Sequence, residues 1–265
     1  MPVALACLAA GLFGQAFIRL RRRGRRDHAP WSRPLVFGAA VAVGLLALVS
    51  PLDQIAEEDL LSAHMLQHVL IGDLVPVLLV VALRGPLLFF FLPTPALRLC
   101  GRVRPVRAVL RFVLRPEVSF AVWAGALAVW HVPALYDAAL THPLLHELEH
   151  ASFLLGGLLV WVQLVDPARR NALSRNGKLA YAGALLICGQ ALANVLLLRF
   201  SPLYPAYGDS GGDPLGFSPL GDQRAAAVVM MVEQLATVGT FVILALRSRA
   251  RAPLVLAPDR HPFAA

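Results

Sequence analysis

Four histidines form two pairs whose spacing allows both imidazoles of a pair to bind one metal ion. His64 and His68 open one long apolar stretch, and His146 and His150 open another. Residues four apart lie one turn apart on the same face of a helix, so each pair can ligate a single ion. Because ionisable side chains are rare in such apolar segments and mark functional sites, the two pairs predict a metal site.

Further possible ligands are one histidine and two methionines elsewhere in the chain: His131, Met65 and Met230. Thioether with imidazole suits Cu(I), whereas imidazole alone suits zinc, Cu(II) or haem iron. His131 precedes Pro133, so its ring could instead bond a carbonyl that the proline leaves without a donor. The methionines could equally be packing residues, and His142 an ordinary interfacial residue.

Four acidic residues are candidate supporting partners of the site, because a ligating histidine commonly gives its second N–H to a carboxylate. They are Glu149, Asp73, Glu233 and Asp222. Asp73 and Glu233 fall near the middle of their apolar segments with no cation close in sequence. We therefore expect both to be protonated or bonded to Gln190 or Asn194, or to orient a histidine.

The segment His146-Glu147-Leu148-Glu149-His150 also matches H-E-x-x-H, the pattern of zinc proteases in which the first glutamate activates a zinc-bound water. The pentapeptide alone is a weak signal in a chain with 8 histidines. No Asn-Pro-Asp-Gly or Leu-Asp-Gly segment supplies a third ligand as in intramembrane zinc proteases. We therefore predict a protein that is not an enzyme, with an intramembrane zinc protease as one alternative.

The composition predicts a membrane protein with many spans. Hydrophobic residues make up 58% of the 265 residues, charged residues only 15%, and the mean hydropathy is +0.66. The formal net charge of +8 comes from arginines that cluster between apolar stretches, which indicates membrane topology and not nucleic-acid binding. Cys7, Cys100 and Cys188 are far apart, so no disulfide framework or thiolate zinc site is expected.

The apolar segments predict one all-α integral membrane domain, a bundle of seven transmembrane helices. The predicted spans are 2–18, 34–51, 60–83, 118–136, 145–165, 179–198 and 222–246. The run 85–93 is too short to cross and is predicted to be interfacial or re-entrant. Residues 104–115 read as a basic amphipathic helix on an anionic membrane surface or as an ordinary solvated loop helix.

The distribution of arginine predicts the orientation of the bundle. With the N-terminus outside and the C-terminus cytoplasmic, the outer connections keep only Arg199 and Arg224 of the 24 basic residues. This topology puts both histidine pairs and His131 near the outer ends of their helices, and His28 and His261 on the inner side. The histidines could thus share one chamber in the outer leaflet.

The motifs along the chain resemble those of the CtaG family of cytochrome c oxidase assembly factors, which is associated with caa-type oxidases. The resemblance rests on His64-Met65-Leu66-Gln67-His68, Pro76, Gly85-Pro86, Trp130-His131-Val132-Pro133, Tyr136, His146-x-x-Glu149-His150, Asp222-Gln223 and Met230. The chain departs from the family after Asp222-Gln223, where Arg224, Ala226 and Ala227 precede Met230-Met231.

This resemblance implies a multi-pass protein of the bacterial inner membrane that helps to build the oxidase. It further implies that copper, most simply Cu(I), is bound and delivered to oxidase subunits at the outer face. The copper could come from a periplasmic or extracellular donor. A haem-binding electron-transfer protein and a copper permease are the remaining alternatives.

Overall fold

A computed structural model describes residues 2–207 and 215–250, with side chains described as far as residue 247. The described residues contain helices and no strand, which confirms the all-α prediction. The helices are α1 (Pro2–Arg22), α2 (Ser32–Val49), α3 (Pro51–Glu58), α4 (Leu61–Val69), α5 (Val75–Ala82), α6 (Pro86–Phe91), α7 (Thr94–Arg102), α8 (Arg104–Val113), α9 (Pro116–Trp130), α10 (Pro133–Thr141), α11 (Pro143–Val165), α12 (Arg175–Leu197) and α13 (Pro219–Ala250). His261, predicted to lie on the inner side, falls outside the described residues.

Six helical segments are long and apolar enough to span a membrane, namely α1, α2, α4 to α5, α11, α12 and α13. A seventh span arises if α8 and α9 are counted together, although a bend of 72° separates them. The predicted bundle of membrane helices is therefore confirmed at six to seven spans. The orientation of the termini stays a prediction.

The fourth predicted span ends earlier than the sequence suggested. We expected it to continue to Tyr136, but α9 ends at Trp130 and α10 begins at Pro133. Proline has no N–H to donate and disfavours helical backbone in the preceding residue, which accounts for the break. With 15 residues, α9 is about 22 Å long, shorter than the roughly 30 Å of a bilayer core.

The connection between α5 and α9 contains short helices only. The apolar run forms α6, six residues whose Leu87 is buried against Phe13 and Phe17 of α1. A helix of that length cannot cross a bilayer, as predicted. The basic segment forms α8, whose Val109 and Phe112 remain exposed on its apolar face.

Close backbone packing joins the two helices that carry the histidine pairs. Between α4 and α5, Leu70–Leu74 forms a π-helical segment that faces α11. A Cβ on Gly157 would lie 1.9 Å from the carbonyl oxygen of Gly72, so only glycine fits there. Small residues allow membrane helices to approach closely, and this contact fixes α11 against the α4–α5 span.

Candidate metal centre

Four imidazoles from two helices converge in one place. His64 and His68 of α4 and His146 and His150 of α11 each offer one ring nitrogen, and these four atoms lie within 4.8 Å of one another. The ring centroids are 4.2 Å apart for His64 and His68, and 4.1 Å apart for His146 and His150. We call these four residues the histidine group. Its members are the two pairs that their spacing singled out.

The tautomer of His64 is set by a tyrosine from a distant loop. Nδ1 of His64 lies 2.8 Å from the hydroxyl of Tyr207, and this hydroxyl donates its proton to the carbonyl of Ala56 at 2.7 Å. The Tyr207 oxygen must then accept a hydrogen bond from Nδ1–H of His64. Nε2 of His64 therefore keeps its lone pair, and it has no hydrogen-bond partner in the structure.

His146 is oriented by a carboxylate in the same way. Its Nδ1 lies 3.0 Å from Oε1 of Glu57, which comes from α3. A proton on Nδ1 satisfies this contact and leaves the lone pair on Nε2. The Nε2 atoms of His146 and of His150 are both buried without a partner. A carboxylate behind a ligating histidine is a common arrangement in metal sites, where it fixes the ring and raises its basicity.

The deepest part of the histidine group holds polar atoms without partners. Both ring nitrogens of His68 and both carboxyl oxygens of Glu149 lack a hydrogen bond, and Glu149 is fully buried. Nε2 of His68 lies 3.6 Å from Oε1 of Glu149. Buried polar atoms are almost always satisfied, and a cation held between these side chains is one partner that would satisfy them.

The arrangement suits a metal ion that prefers nitrogen ligands. Neutral imidazoles with converging lone pairs repel one another unless a positive charge lies between them. In a tetrahedral site with metal–nitrogen bonds of about 2.0–2.1 Å, the nitrogens are about 3.3 Å apart, so a small contraction of the histidine group would complete the sphere. Glu149 lies close enough to offset part of the charge of the ion.

Asp222 of α13 positions α4. Its Oδ2 accepts a hydrogen bond from the backbone N–H of Leu61 at 2.7 Å, and its Oδ1 accepts one from Ser62 at 3.1 Å. The first N–H groups of a helix lack partners within the helix, so the carboxylate caps α4 and favours its dipole. Asp222 thus supports the site through the helix that carries His64 and not through a histidine ring.

Buried tyrosines lie beside the histidine group. The ring centroid of Tyr136 is 5.1 Å from that of His64, and the ring of Tyr204 is tilted against that of Tyr136 with centroids 4.3 Å apart. Burial raises the pKa of Tyr204 and of Tyr207 above the usual range for a phenol. Both hydroxyls therefore stay neutral and act as hydrogen-bonding groups.

The structure leaves His131 out of the histidine group. Its Nδ1 donates to the carbonyl of Leu127 at 2.8 Å, an ordinary contact within the helix, while its Nε2 is buried without a partner. Met65 and Met230 lie in a hydrophobic cluster beside the group. All three residues also line a small cavity of about 70 Å³ next to His68.

Asp73 and Glu233 do not have the partners that we expected. Asp73 accepts hydrogen bonds from the indole N–H of Trp161 and, at 2.8 Å, from the hydroxyl of Thr237. Oε1 of Glu233 is buried without a hydrogen-bond partner in the structure. The expected amide partners are engaged elsewhere, because Gln190 bonds to Gln234, and Asn194 to the carbonyl of Gln190.

Two further residues of the histidine-rich segment 142–150 lie on the surface. His142 and Glu147 are exposed, whereas Glu149 is the carboxylate that faces the histidines. In the zinc protease pattern the catalytic glutamate would be Glu147, which would have to face the metal. In the structure Glu147 is exposed and Glu149 faces the histidines, which argues against that alternative.

Two residues that orient the histidines were not predicted, Tyr207 and Glu57. Tyr207 ends the short 3-10 helix Pro205–Tyr207, 143 residues from His64, and no periodic pattern points to it. Glu57 lies seven residues before His64 and belongs to an acidic segment, residues 53–59. The signal in the sequence that could have identified Glu57 is the short distance between this acidic segment and the pair His64 and His68.

Comparisons with known proteins agree with the motifs. A model of the family Caa3_CtaG, described as cytochrome c oxidase caa3 assembly factor, matches residues 11–252. The matched region contains the whole histidine group together with Tyr207, Glu57 and Asp222. Comparisons with curated proteins and with solved structures found no match.

Proposed function

Because this chain belongs to the family of cytochrome c oxidase caa3 assembly factors, we propose that it binds copper in the histidine group and delivers the copper to the oxidase during assembly. The proposal rests on one observation. The Nε2 atoms of His64, His146 and His150 and both nitrogens of His68 are buried and unpartnered, and one ring nitrogen of each of the four histidines lies within 4.8 Å of the others.

The size of the site favours an ion over haem. The ring centroids of His64 and His150 are 6.5 Å apart. The adjoining cavity of about 70 Å³ is too small for a porphyrin. Among the ions that imidazole binds, copper is favoured because cytochrome c oxidase contains copper centres, and the thioethers of Met65 and Met230 in the cavity beside His68 suit Cu(I).

A role as carrier agrees with the chemistry of the donor set. Imidazole ligands exchange more readily than a closed cage of thiolates, and the described cysteines Cys7, Cys100 and Cys188 are free and far from the histidine group in sequence. With the predicted orientation, the group lies in the outer leaflet, where an oxidase subunit could receive the ion without carrying it across the bilayer. Ligand exchange of this kind needs no covalent chemistry.

The first experiment measures the copper content of purified full-length protein. Replacing His146 and His150 with alanine should abolish stoichiometric binding of Cu(I), whereas replacing His28 and His142 removes the same number of imidazoles outside the group and should leave it intact. Equal copper content in both double variants would refute the site.

The second experiment links the site to assembly. In cells that depend on this protein for a caa3-type oxidase, the variant without His146 and His150 should accumulate oxidase that lacks copper. Normal oxidase with this variant would leave the metal site standing but separate it from the assembly role. A single variant, His131→Ala, tests whether the neighbouring imidazole takes part, and we expect it to weaken binding less than loss of any member of the group.

A further inference from the structure

A large basic cavity lies at the end of the bundle opposite the histidine group. Its volume is about 710 Å³, and it lies between the α1–α2 connection, the turn after α5 and the loop after α11. Four arginines and two aspartates line it, so the lining carries a net charge of +2 when His28 is neutral. The arginines are Arg25, Arg33, Arg84 and Arg169.

The two aspartates of the lining are already engaged. Asp27 pairs with His28 at 3.1 Å. Asp166 accepts hydrogen bonds from the backbone N–H groups of Arg170 and Asn171, one on each carboxyl oxygen. Among the residues that the structure describes, no ion pair joins an arginine of the cavity to a carboxylate. The positive charge of the cavity is therefore available to an anion.

Two of these arginines lie close enough to repel each other. Arg33 donates hydrogen bonds to the carbonyls of Val81 and Ala82, which hold its guanidinium at the end of α5. The charge of Arg33 interacts unfavourably with that of Arg84, which follows the end of α5 by two residues. Like charges held together in this way favour an anion that binds both, and a guanidinium fork matches the oxygens of a phosphate.

The backbone around the cavity is fixed. The N–H of Gly85 donates to the carbonyl of Pro167 at 2.8 Å, which ties the turn after α5 to the loop after α11. Gly85 has a φ of +72°, a conformation that favours glycine. The backbone segments that carry Arg84 and Arg169 are consequently held next to each other, and both arginines line the same cavity.

The surroundings indicate a lipid as the source of the phosphate. Phe89 and Phe90 line the cavity, and Phe89 is 53% exposed. Trp31, in the α1–α2 connection, is 67% exposed and lies under Arg21 at 4.8 Å. Exposed tryptophan beside arginine is typical of the head-group level of a membrane, and basic pockets between helices at that level bind anionic head groups.

We infer that this cavity binds the phosphate of an anionic phospholipid head group, with the acyl chains directed along the aromatic side. The positive-inside rule predicts that this end of the bundle faces the cytoplasm, where anionic lipid is abundant. The site is separate from the histidine group and does not depend on the proposed copper function.

The test is native mass spectrometry of the full-length protein in detergent with phosphatidylglycerol or phosphatidylcholine added. The wild-type protein should retain phosphatidylglycerol in preference to phosphatidylcholine. The double variant Arg84→Gln with Arg169→Gln should lose about 30-fold in affinity for phosphatidylglycerol, since each basic group near the surface contributes roughly a fivefold factor. Arg33 is left in place because it also bonds the end of α5.

The matched control is Arg102→Gln with Arg111→Gln, two exposed arginines outside the cavity that change the net charge equally. This variant should bind within about threefold of the wild type. Equal losses in both double variants, or no preference for phosphatidylglycerol in the wild type, would overturn the inference. Binding of inorganic phosphate that depends on Arg84 and Arg169, without such dependence for phosphatidylglycerol, would overturn the lipid as the source. Thermal unfolding curves show that each variant is folded.

Discussion

The hydroxyl of Tyr207 offers a sharp test of the metal site because it touches no metal ligand atom. It accepts a hydrogen bond from Nδ1–H of His64 and donates one to the carbonyl of Ala56. Tyr207→Phe removes the hydroxyl that keeps the proton of His64 on Nδ1, so the ring can take the tautomer that puts the proton on Nε2, where the metal should bind. The variant leaves all four imidazoles in place.

The expected effect follows from what the substitution removes. Loss of a group that orients a ligand typically weakens metal affinity by about 10- to 100-fold, or about 1.4–2.8 kcal/mol. The same change leaves the buried carbonyl of Ala56 without its donor, which should lower the free energy of unfolding by about 1–3 kcal/mol. Metal affinity is measured by competition with a chromophoric Cu(I) chelator, and stability by thermal unfolding without metal.

Tyr181→Phe is the matched control. Tyr181 is buried, and its hydroxyl has no hydrogen-bond partner in the structure, so its removal should change neither quantity by more than a small amount. If Tyr207→Phe binds Cu(I) within twofold of the wild type, the tautomer of His64 does not matter for binding. The view of Nε2 of His64 as a ligand would then be wrong.

Three further outcomes are expected. Glu57→Gln should weaken metal affinity about tenfold because the carboxylate that holds His146 is lost. Glu58→Gln removes an exposed carboxylate of the same helix and should leave metal affinity unchanged. Equal effects of the two variants would refute the orienting role of Glu57. Gly157→Ala should lower the free energy of unfolding by at least about 1–3 kcal/mol because the new Cβ meets the carbonyl of Gly72. In the control Gly183→Ala the new Cβ meets nothing within 4 Å. Similar melting temperatures of the two variants would contradict the close packing. Metal affinity should fall as the pH falls from 7 to 5, since protons compete for the imidazole lone pairs, and a pH-independent titration would argue against histidine ligands.

The sequence predicted the histidine group as two pairs that could share one chamber, but it did not show that the two helix faces meet. Four-residue spacing determines which side chains share a face of one helix, so the pairs in α4 and α11 followed from the chain alone. Whether the two faces meet depends on how the helices pack. That contact is set by Gly157 against Gly72, and a single glycine in an apolar run carries no recognisable signal of the partner that it will touch.

The fold was predicted best where the apolar runs are long. The spans of α11, α12 and α13 differ from the prediction by a few residues at their ends, whereas the fourth span was extended past a proline that ends it. His131 lies at that break and donates to the carbonyl of Leu127 at the end of α9, so its part in the metal site stays a prediction.

The groups that orient the ligands could not be predicted because they come from irregular or short segments. Tyr207 lies on the three-residue 3-10 helix Pro205–Tyr207, and Glu57 lies on the eight-residue α3. Asp73 and Glu233 were expected beside amides on α12, but those amides bond within α12 and to α13. Such partnerships depend on helix rotation, which hydropathy does not determine.

The π-helical segment Leu70–Leu74 divides one span into two halves with different angular settings. One turn of this type takes an additional residue into the coil, so the part that follows is rotated by about 100° relative to an uninterrupted α-helix. The π-helical segment thus sets the rotation of the α4 face that bears His64 and His68 relative to the packing face of α5. Deleting one residue from Leu70–Leu74 would restore regular coiling but turn the two imidazoles away from α11, whereas an equal deletion in the connections after α5 would leave that phase unchanged.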